Sequence, residues 1–263
     1  MVFGWLGRRN REFNIEQRQH VVRQDRPDVI YAIGDVHGRL DLLVSLEQRI
    51  AARHAAELHS NSSLIVMLGD YVDRGESSAG VIDHLLAPPP LGFERICLAG
   101  NHEAMMQAFL DQPALNSIWL RNGGWETLAS YGLTREVVQA RSASLEEVVR
   151  SHVPDEHAAF LAGLPLTLSF DNVVFVHAGL APGVPVDKQR EADVLWIRDK
   201  FLNAPAEAGR LVVHGHTPST DPVTAAGRIC VDTGAFATNV LTAVRIDRQG
   251  ATEFISTKET AAR

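Results

Sequence analysis

Short apolar runs that each stop at a glycine recur along this chain, and they organise everything else. Asp28 to Ile33 runs into Gly34-Asp35-Val36-His37-Gly38, Leu64 to Leu68 into Gly69-Asp70-Tyr71-Val72-Asp73-Arg74-Gly75, and Arg95 to Ala99 into Gly100-Asn101-His102-Glu103. Length, aliphatic content and the abrupt glycine mark each as a buried strand that ends in a loop. Between them the period changes. Leu40, Leu42, Leu43, Leu46 and Ile50 repeat at helical spacing up to about His59, and Val81, Ile82, Leu85 and Leu86 give a second helix over Ser77 to Ala87, stopped by Pro88-Pro89-Pro90. Strand, loop and helix therefore alternate, which predicts an α/β fold.

From residue 104 to about 165 the pattern is helical only, in several pieces broken at Pro113, Asn122-Gly123-Gly124 and Pro154. This reads as a helical insertion over one rim, with its tryptophans Trp119 and Trp125 in the core. Strand patterns return at Leu166 to Phe170 and Asn172 to Val176, a hairpin turning near Asp171, and the second ends at His177-Ala178-Gly179. A helix is expected over Arg190 to Leu202. Leu211 to Val213 then leads to His214-Gly215-His216-Thr217-Pro218, Ile229 to Val231 leads to Asp232, and Leu241 to Ile246 is a last strand before a closing stretch to Ile255. Residues 1–27 are polar and are expected as a loosely attached arm, leaving 28–263 as a single domain.

Composition narrows the class. With 263 residues and 45% hydrophobic content the chain can bury a full core without staples. A net charge of -7 argues against a general nucleic-acid binder. No apolar run is long enough to cross a bilayer, so no membrane partner is expected. Arg8, Arg9 and Arg11 follow the first apolar residues, the reverse of a secretory signal, so the expected location is cytoplasmic. Cys97 and Cys230 each fall in an apolar run and are expected to stay unpaired.

Ligands of open α/β sheets collect beyond the carboxyl ends of the strands, so loops far apart in sequence can share one site. Five such ends deliver Asp35 and His37, Asp70, Asn101, His177 and His216. Oxygen and imidazole donors without thiolate suit manganese, iron or zinc, and their number is enough for two divalent ions sharing one carboxylate. Such a site, with Arg74 to fork onto an oxyanion, fits phosphoester hydrolysis. A covalent intermediate is not indicated: there is no P-loop and no Gly-x-Ser-x-Gly.

These motifs, in order and spacing over residues 29 to 240, resemble the calcineurin-like metallophosphoesterases, and within them the PPP-type serine/threonine protein phosphatases in their compact bacterial and phage form. The resemblance implies a four-layer αββα sandwich of two mixed sheets. It implies that Asp35, His37 and Asp70 hold one metal, most simply manganese, and that Asp70, Asn101, His177 and His216 hold a second. His102 would be the general acid, oriented by Asp73. Arg74 would clamp the phosphate, with Asn101, His102 and Arg198 also in contact with it; Arg198 is equally open to an ion-pair role. His214 is read as a neighbour rather than a ligand, and Asp232 as a turn carboxylate or a partner to the ligands. The expected activity is attack of metal-bound hydroxide on a phosphomonoester of a phosphorylated protein or a small metabolite. Pro218 stands where nucleases of the superfamily need a second histidine. Symmetric diadenosine tetraphosphate hydrolysis is the alternative, disfavoured by Asp73. A metal-binding scaffold without activity is a third reading, disfavoured because Asp73, Arg74 and His102 are all present.

Overall fold

Two mixed sheets face each other, and the parallel heart of each sends its strand ends to the same rim. The computed structural model describes residues 18–56, 62–140 and 144–258. The strands are β1 (His20–Val22), β2 (Val29–Ile33), β3 (Ser63–Met67), β4 (Phe93–Cys97), β5 (Thr167–Phe170), β6 (Val173–Val176), β7 (Leu211–His214), β8 (Val223–Ala225), β9 (Arg228–Cys230), β10 (Thr242–Asp247) and β11 (Thr252–Ser256). One sheet runs β11-β10-β2-β3-β4 and the other β1-β5-β6-β7-β9-β8. The helices are α1 (Leu40–Ala55), α2 (Ser78–Leu86), α3 (Asn101–Asp111), α4 (Gly124–Ser130), α5 (Arg135–Ala140), α6 (Leu145–His152), α7 (Asp155–Gly163), α8 (Glu191–Trp196), α9 (Asp199–Leu202) and α10 (Ala235–Thr238).

Strand periodicity explains the layers. On β2, Ile30 and Ala32 face the other sheet and pack with Leu64, Val66, Phe170, Phe175 and Val213. Val29, Tyr31 and Ile33 point the other way, into a second core shared with Leu43, Leu46 and Ile50 of α1. Parallel pairing then sets the level of the loops. Ile33 lies opposite Met67 and Met67 opposite Cys97, so the glycine loops after β2, β3 and β4 emerge side by side. In the second sheet His214 lies opposite Cys230, which levels β7 with β9.

The rim can close only because of glycines. A Cβ on Gly34 would sit 2.4 Å from the carbonyl oxygen of Val231, so the end of β2 meets the end of β9 backbone to backbone. No helix among the described residues is long and apolar enough to cross a membrane. Cys97 and Cys230 are free thiols.

Several expectations need correction. Of the arm expected over 1–27, residues 1–17 lie outside the described residues, but His20–Val22 is a strand paired in parallel with β5 rather than a loose tail. The extension of α1 to His59 also lies outside them. Leu86 does not face inward; it is 44% exposed at the end of α2. The helix expected over 190–202 is two, broken at Ile197-Arg198, where Arg198 has φ −132 and ψ −102. The described residues between 104 and 165 are mostly helical, in the pieces α3 to α7, with a 3-10 turn at Ser117–Asn122 between α3 and α4.

Candidate metal and phosphate site

All ten candidate residues stand around one rim, where the cleft of about 210 Å³ is lined by Asp35, His37, Asp70, Arg74, Asn101, His102, Arg198 and His216, joined by Trp196 and Asp232. His177 lies beneath them, fully buried. Asp73 is likewise buried, behind His102.

His37 and His177 are aimed by the backbone. His37 donates from Nδ1 to the carbonyl of Val72 at 2.8 Å, and His177 donates from Nδ1 to that of Leu68 at 2.9 Å, which leaves both Nε2 lone pairs facing the cleft. Nε2 of His37 lies 3.5 Å from Asp70 Oδ2, and Nε2 of His177 lies 3.4 Å from Asp70 Oδ1. Asp70 therefore faces a histidine on each oxygen, and Oδ2 also has His102 Nε2 at 3.9 Å. His177 Nε2 is also 2.8 Å from Asn101 Oδ1 and 3.2 Å from His216 Nδ1, while His216 Nε2 accepts from Arg198 Nε at 3.1 Å. The break between α8 and α9 is what brings Arg198 there.

Donor atoms of Asp70, His177 and His216 all lie within 4.8 Å of one another, and so do those of His37, Asp70 and His102. Asp35 enters the cleft but outside those two close sets. Its carboxylate accepts the backbone N–H of His216 at 3.2 Å, and Asp232 lines the same cleft. A Cβ on Gly215 would strike Asp35 Oδ1 at 2.1 Å, so glycine is required there.

The electrostatics suit a cation. Burial lowers His37 and His216 to about 3 and lowers His177 as well, so the three imidazoles are neutral donors near pH 7. Burial works against ionisation of Asp70, but His177, His102 and His37 overcome it and hold Asp70 below the usual carboxylate range. Burial, with the charges of Asp232 and Asp70, pushes Asp35 well above it, and burial raises Asp232 to about 6. Carboxylates crowded against neutral imidazoles in a dry cleft form a donor set that a divalent ion would complete.

His102 differs from the other three. Its Nδ1–H donates to Asp73 Oδ2 at 2.5 Å, and its Nε2 accepts from Arg74 Nη2 at 3.2 Å. Burial acts against protonation, but Asp70 and Asp73 outweigh it and raise the His102 pKa. Arg74 stacks over the ring of Phe236, 4.6 Å from its centroid.

Three features were not read from the sequence. Glu103 does more than begin α3: its carboxylate accepts the backbone N–H groups of Asp70, Tyr71, Val72 and Gly100 at 2.7 to 3.2 Å. Trp119 is buried as expected, but its indole N–H donates to Asp73 Oδ2 at 2.8 Å. His37, Asp70, Asp73, Arg74 and His216 all have φ between 45° and 73°, a left-handed conformation costly for residues with a Cβ. His214 is buried with Nδ1 on the carbonyl of Gly215, beside the cleft and outside the two close donor sets.

Comparison with known proteins agrees with this geometry. The calcineurin-like phosphoesterase profile matches residues 29–245. Asymmetrical bis(5'-nucleosyl)-tetraphosphatase PrpE of Oceanobacillus iheyensis is 28% identical over 244 residues, which are 85% of this chain and 90% of that one. Serine/threonine-protein phosphatase 2 of Salmonella typhimurium is 27% identical over 227 residues, 82% of this chain and 92% of that one. The crystal structure of a candidate diadenosine tetraphosphatase shares the fold with a TM-score of 0.64 at 20% identity, over 92% of this chain and 100% of that one. The dinucleotide relative is named asymmetrical rather than symmetric. The relatives' names divide between two substrate classes, a dinucleoside tetraphosphate and a phosphorylated protein, and agree on hydrolysis at phosphorus.

Proposed function

The chain belongs to the calcineurin-like phosphoesterases, and from that premise we propose that it is a metal-dependent phosphomonoesterase acting on phosphoserine or phosphothreonine in proteins. Asp35, His37 and Asp70 would hold one divalent ion and Asp70, Asn101, His177 and His216 the other, with Asp70 between them. Manganese suits this oxygen and imidazole set, and iron or zinc are the competitors. When bound, such ions activate water and neutralise charge on the phosphoryl oxygens. The protein's own part is the rest: Arg74 and Arg198 bind the phosphate, and His102, as the imidazolium protonated on both ring nitrogens, gives the Nε2 proton to the departing alcohol oxygen.

The observation that carries this reading is the Asp73–His102 hydrogen bond of 2.5 Å, which leaves Nε2 in the cleft next to the Arg74 guanidinium. A proton donor and an oxyanion clamp on adjacent sides of a donor cluster are what cleavage of an alkyl ester requires, because an alkoxide is a poor leaving group until protonated. The groove that continues past Arg74 supports an uncharged leaving group. It measures about 810 Å³ and is lined by Arg39, Asp41, Glu76, Phe236 and Asn239 among others. There Arg39 is already held by both oxygens of Asp41 at 2.9 and 2.7 Å. Two guanidiniums balanced by two carboxylates serve a peptide better than a run of further phosphates.

The test is a side-by-side comparison, with manganese, of kcat/KM on phosphoserine and phosphothreonine peptides and on diadenosine tetraphosphate. Higher values on the peptides support the proposal. A clear preference for diadenosine tetraphosphate would replace it with the activity named for the PrpE relative.

A further inference from the structure

The helical segment meets the Asp73-Arg74 loop at the site, and both oxygens of the Asp73 carboxylate are spoken for. Oδ2 accepts from Trp119 Nε1–H at 2.8 Å and from His102 Nδ1–H at 2.5 Å. Oδ1 accepts from Thr127 Oγ1–H at 2.6 Å. We infer that Trp119 and Thr127 are positioning residues for His102, holding Nδ1–H on Asp73 so that the ring is favoured as imidazolium and its Nε2–H is oriented to protonate the leaving oxygen. The inference rests on the phosphomonoesterase reading above.

The donor inventory makes the geometry directional. An indole N–H can only donate, so Oδ2 accepts from Trp119 while Oδ1 accepts from Thr127, and these donors favour the ionised carboxylate, with the proton of the His102 contact on Nδ1. Thr127 Oγ1 accepts the backbone N–H of Asp73 at 2.8 Å, so its own proton is available for Oδ1. Fixed at both oxygens, the carboxylate cannot rotate away from His102. Asp73 also has no exposed surface, so no solvent substitutes for a lost donor.

The two glycines between Asn122 and Trp125, which separate helices in the sequence pattern, are what permit this approach. A Cβ on Gly123 would lie 2.7 Å from the backbone nitrogen of Arg74 and 2.9 Å from the Cβ of Asp73. A Cβ on Gly124 would lie 2.6 Å from the Trp119 ring. Bare backbone at both positions lets the segment lie directly on the Asp73-Arg74 loop while Trp119 packs against Phe109, ring centroids 4.8 Å apart. A purely space-filling tryptophan would need neither its N–H on Asp73 nor the threonine on the opposite oxygen.

In the step concerned, the bond from phosphorus to the ester oxygen breaks, its electron pair stays on that oxygen, and the proton leaves His102 Nε2 for it. Water supplies the hydroxyl that ends on phosphorus, and the second proton of that water passes to solvent. Leaving groups that are stable anions need the His102 proton least. That dependence separates positioning from mere packing.

The experiment measures kcat and KM of Trp119→Phe, Thr127→Val, Thr127→Ser and His102→Asn, each with manganese, on p-nitrophenyl phosphate and on phenyl phosphate. Trp119→Phe and Thr127→Val are expected to lose on the order of tenfold in kcat on phenyl phosphate and less than about threefold on p-nitrophenyl phosphate, with KM nearly constant. Thr127→Ser, which keeps the hydroxyl, should behave as the unaltered protein. His102→Asn should show the same selectivity, and more of it. Equal losses on both substrates, or none, in both Trp119→Phe and Thr127→Val overturn the inference while leaving His102 as the acid. Absence of selectivity in His102→Asn overturns the acid assignment itself and the inference with it.

Discussion

The carboxylate of Glu103 accepts the backbone N–H of Tyr71 at 2.7 Å, so the first turn of α3 holds the loop that carries Asp70. The same carboxylate takes three further amides, of Asp70, Val72 and Gly100, and this explains how Asp70 stays at φ 53. Burial and the Asp70 charge push Glu103 up to about 7, and the amides pull against them. Glu103→Gln keeps the shape but turns an NH2 group toward amide donors. The expected cost is about 2 to 4 kcal/mol of stability together with weaker metal retention, since four buried donors lose a charged acceptor. Urea unfolding read beside elemental analysis checks both; unchanged values in the two measurements would show that the clasp is dispensable.

Asp70 faces a histidine on each oxygen, and both proposed metal sets depend on it. Chelator treatment of the purified protein is expected to abolish hydrolysis of p-nitrophenyl phosphate and manganese to restore it. Asp70→Asn removes the charge while keeping one oxygen acceptor, so it should lose metal content and turnover together, with a fall in kcat of at least about 100-fold. Metal content equal to that of the unaltered protein would rule out the shared-carboxylate arrangement.

Legibility followed burial. β2 and β3 are covered on both faces, so their apolar runs stood out, and the chemistry sat immediately after each terminal glycine. β1 and β8 were missed because they lie at the edges of their sheet with half-exposed or exposed residues, and three such residues carry no period. Asp35, His37, Asp70, Asn101, His177 and His216 were readable since residue type and strand end coincide at each. Trp119, Thr127 and Glu103 were not, because their partners are fixed by tertiary approach and nothing local distinguishes them from core or helix-cap residues. The break at Ile197-Arg198 escaped for the same reason: the sequence there is helix-compatible, and only contact of Arg198 with His216 gives it a purpose.

Away from the rim, Glu47 of α1 is buried between His84 and Arg95, at 2.7 Å from each. Burial acts to raise its pKa, but the hydrogen bond from His84 and the Arg95 guanidinium outweigh it and the folded value is lowered. A carboxyl with a lowered folded pKa contributes stability above its unfolded value of about 4.5, and that contribution is lost as the pH falls through the folded value. Glu47→Gln should therefore cost on the order of 3 kcal/mol at neutral pH, leaving Arg95 buried without its partner, and little at acid pH. Urea midpoints taken from pH 7 to pH 3 should converge for the two proteins; parallel curves would remove Glu47 from the acid response.

Phe236 is 38% exposed, yet its ring lies under the Arg74 guanidinium at 4.6 Å and edge-on to His37 at 5.5 Å. A cation over an aromatic face at a partly exposed site is worth about 0.5 to 1 kcal/mol, and here it also restrains a long side chain in the position from which it would meet phosphate. Phe236→Leu preserves apolar cover without the ring's negative face. Competitive inhibition by inorganic phosphate should weaken about two- to fivefold in that variant, which is the same free energy expressed as affinity. Phe236→Tyr should retain tight inhibition because the aromatic face persists. Equal inhibition constants for the leucine and tyrosine variants would mean that Arg74 is held by something other than the ring, and Asp73 and Gly123, which flank its backbone, would become the next candidates.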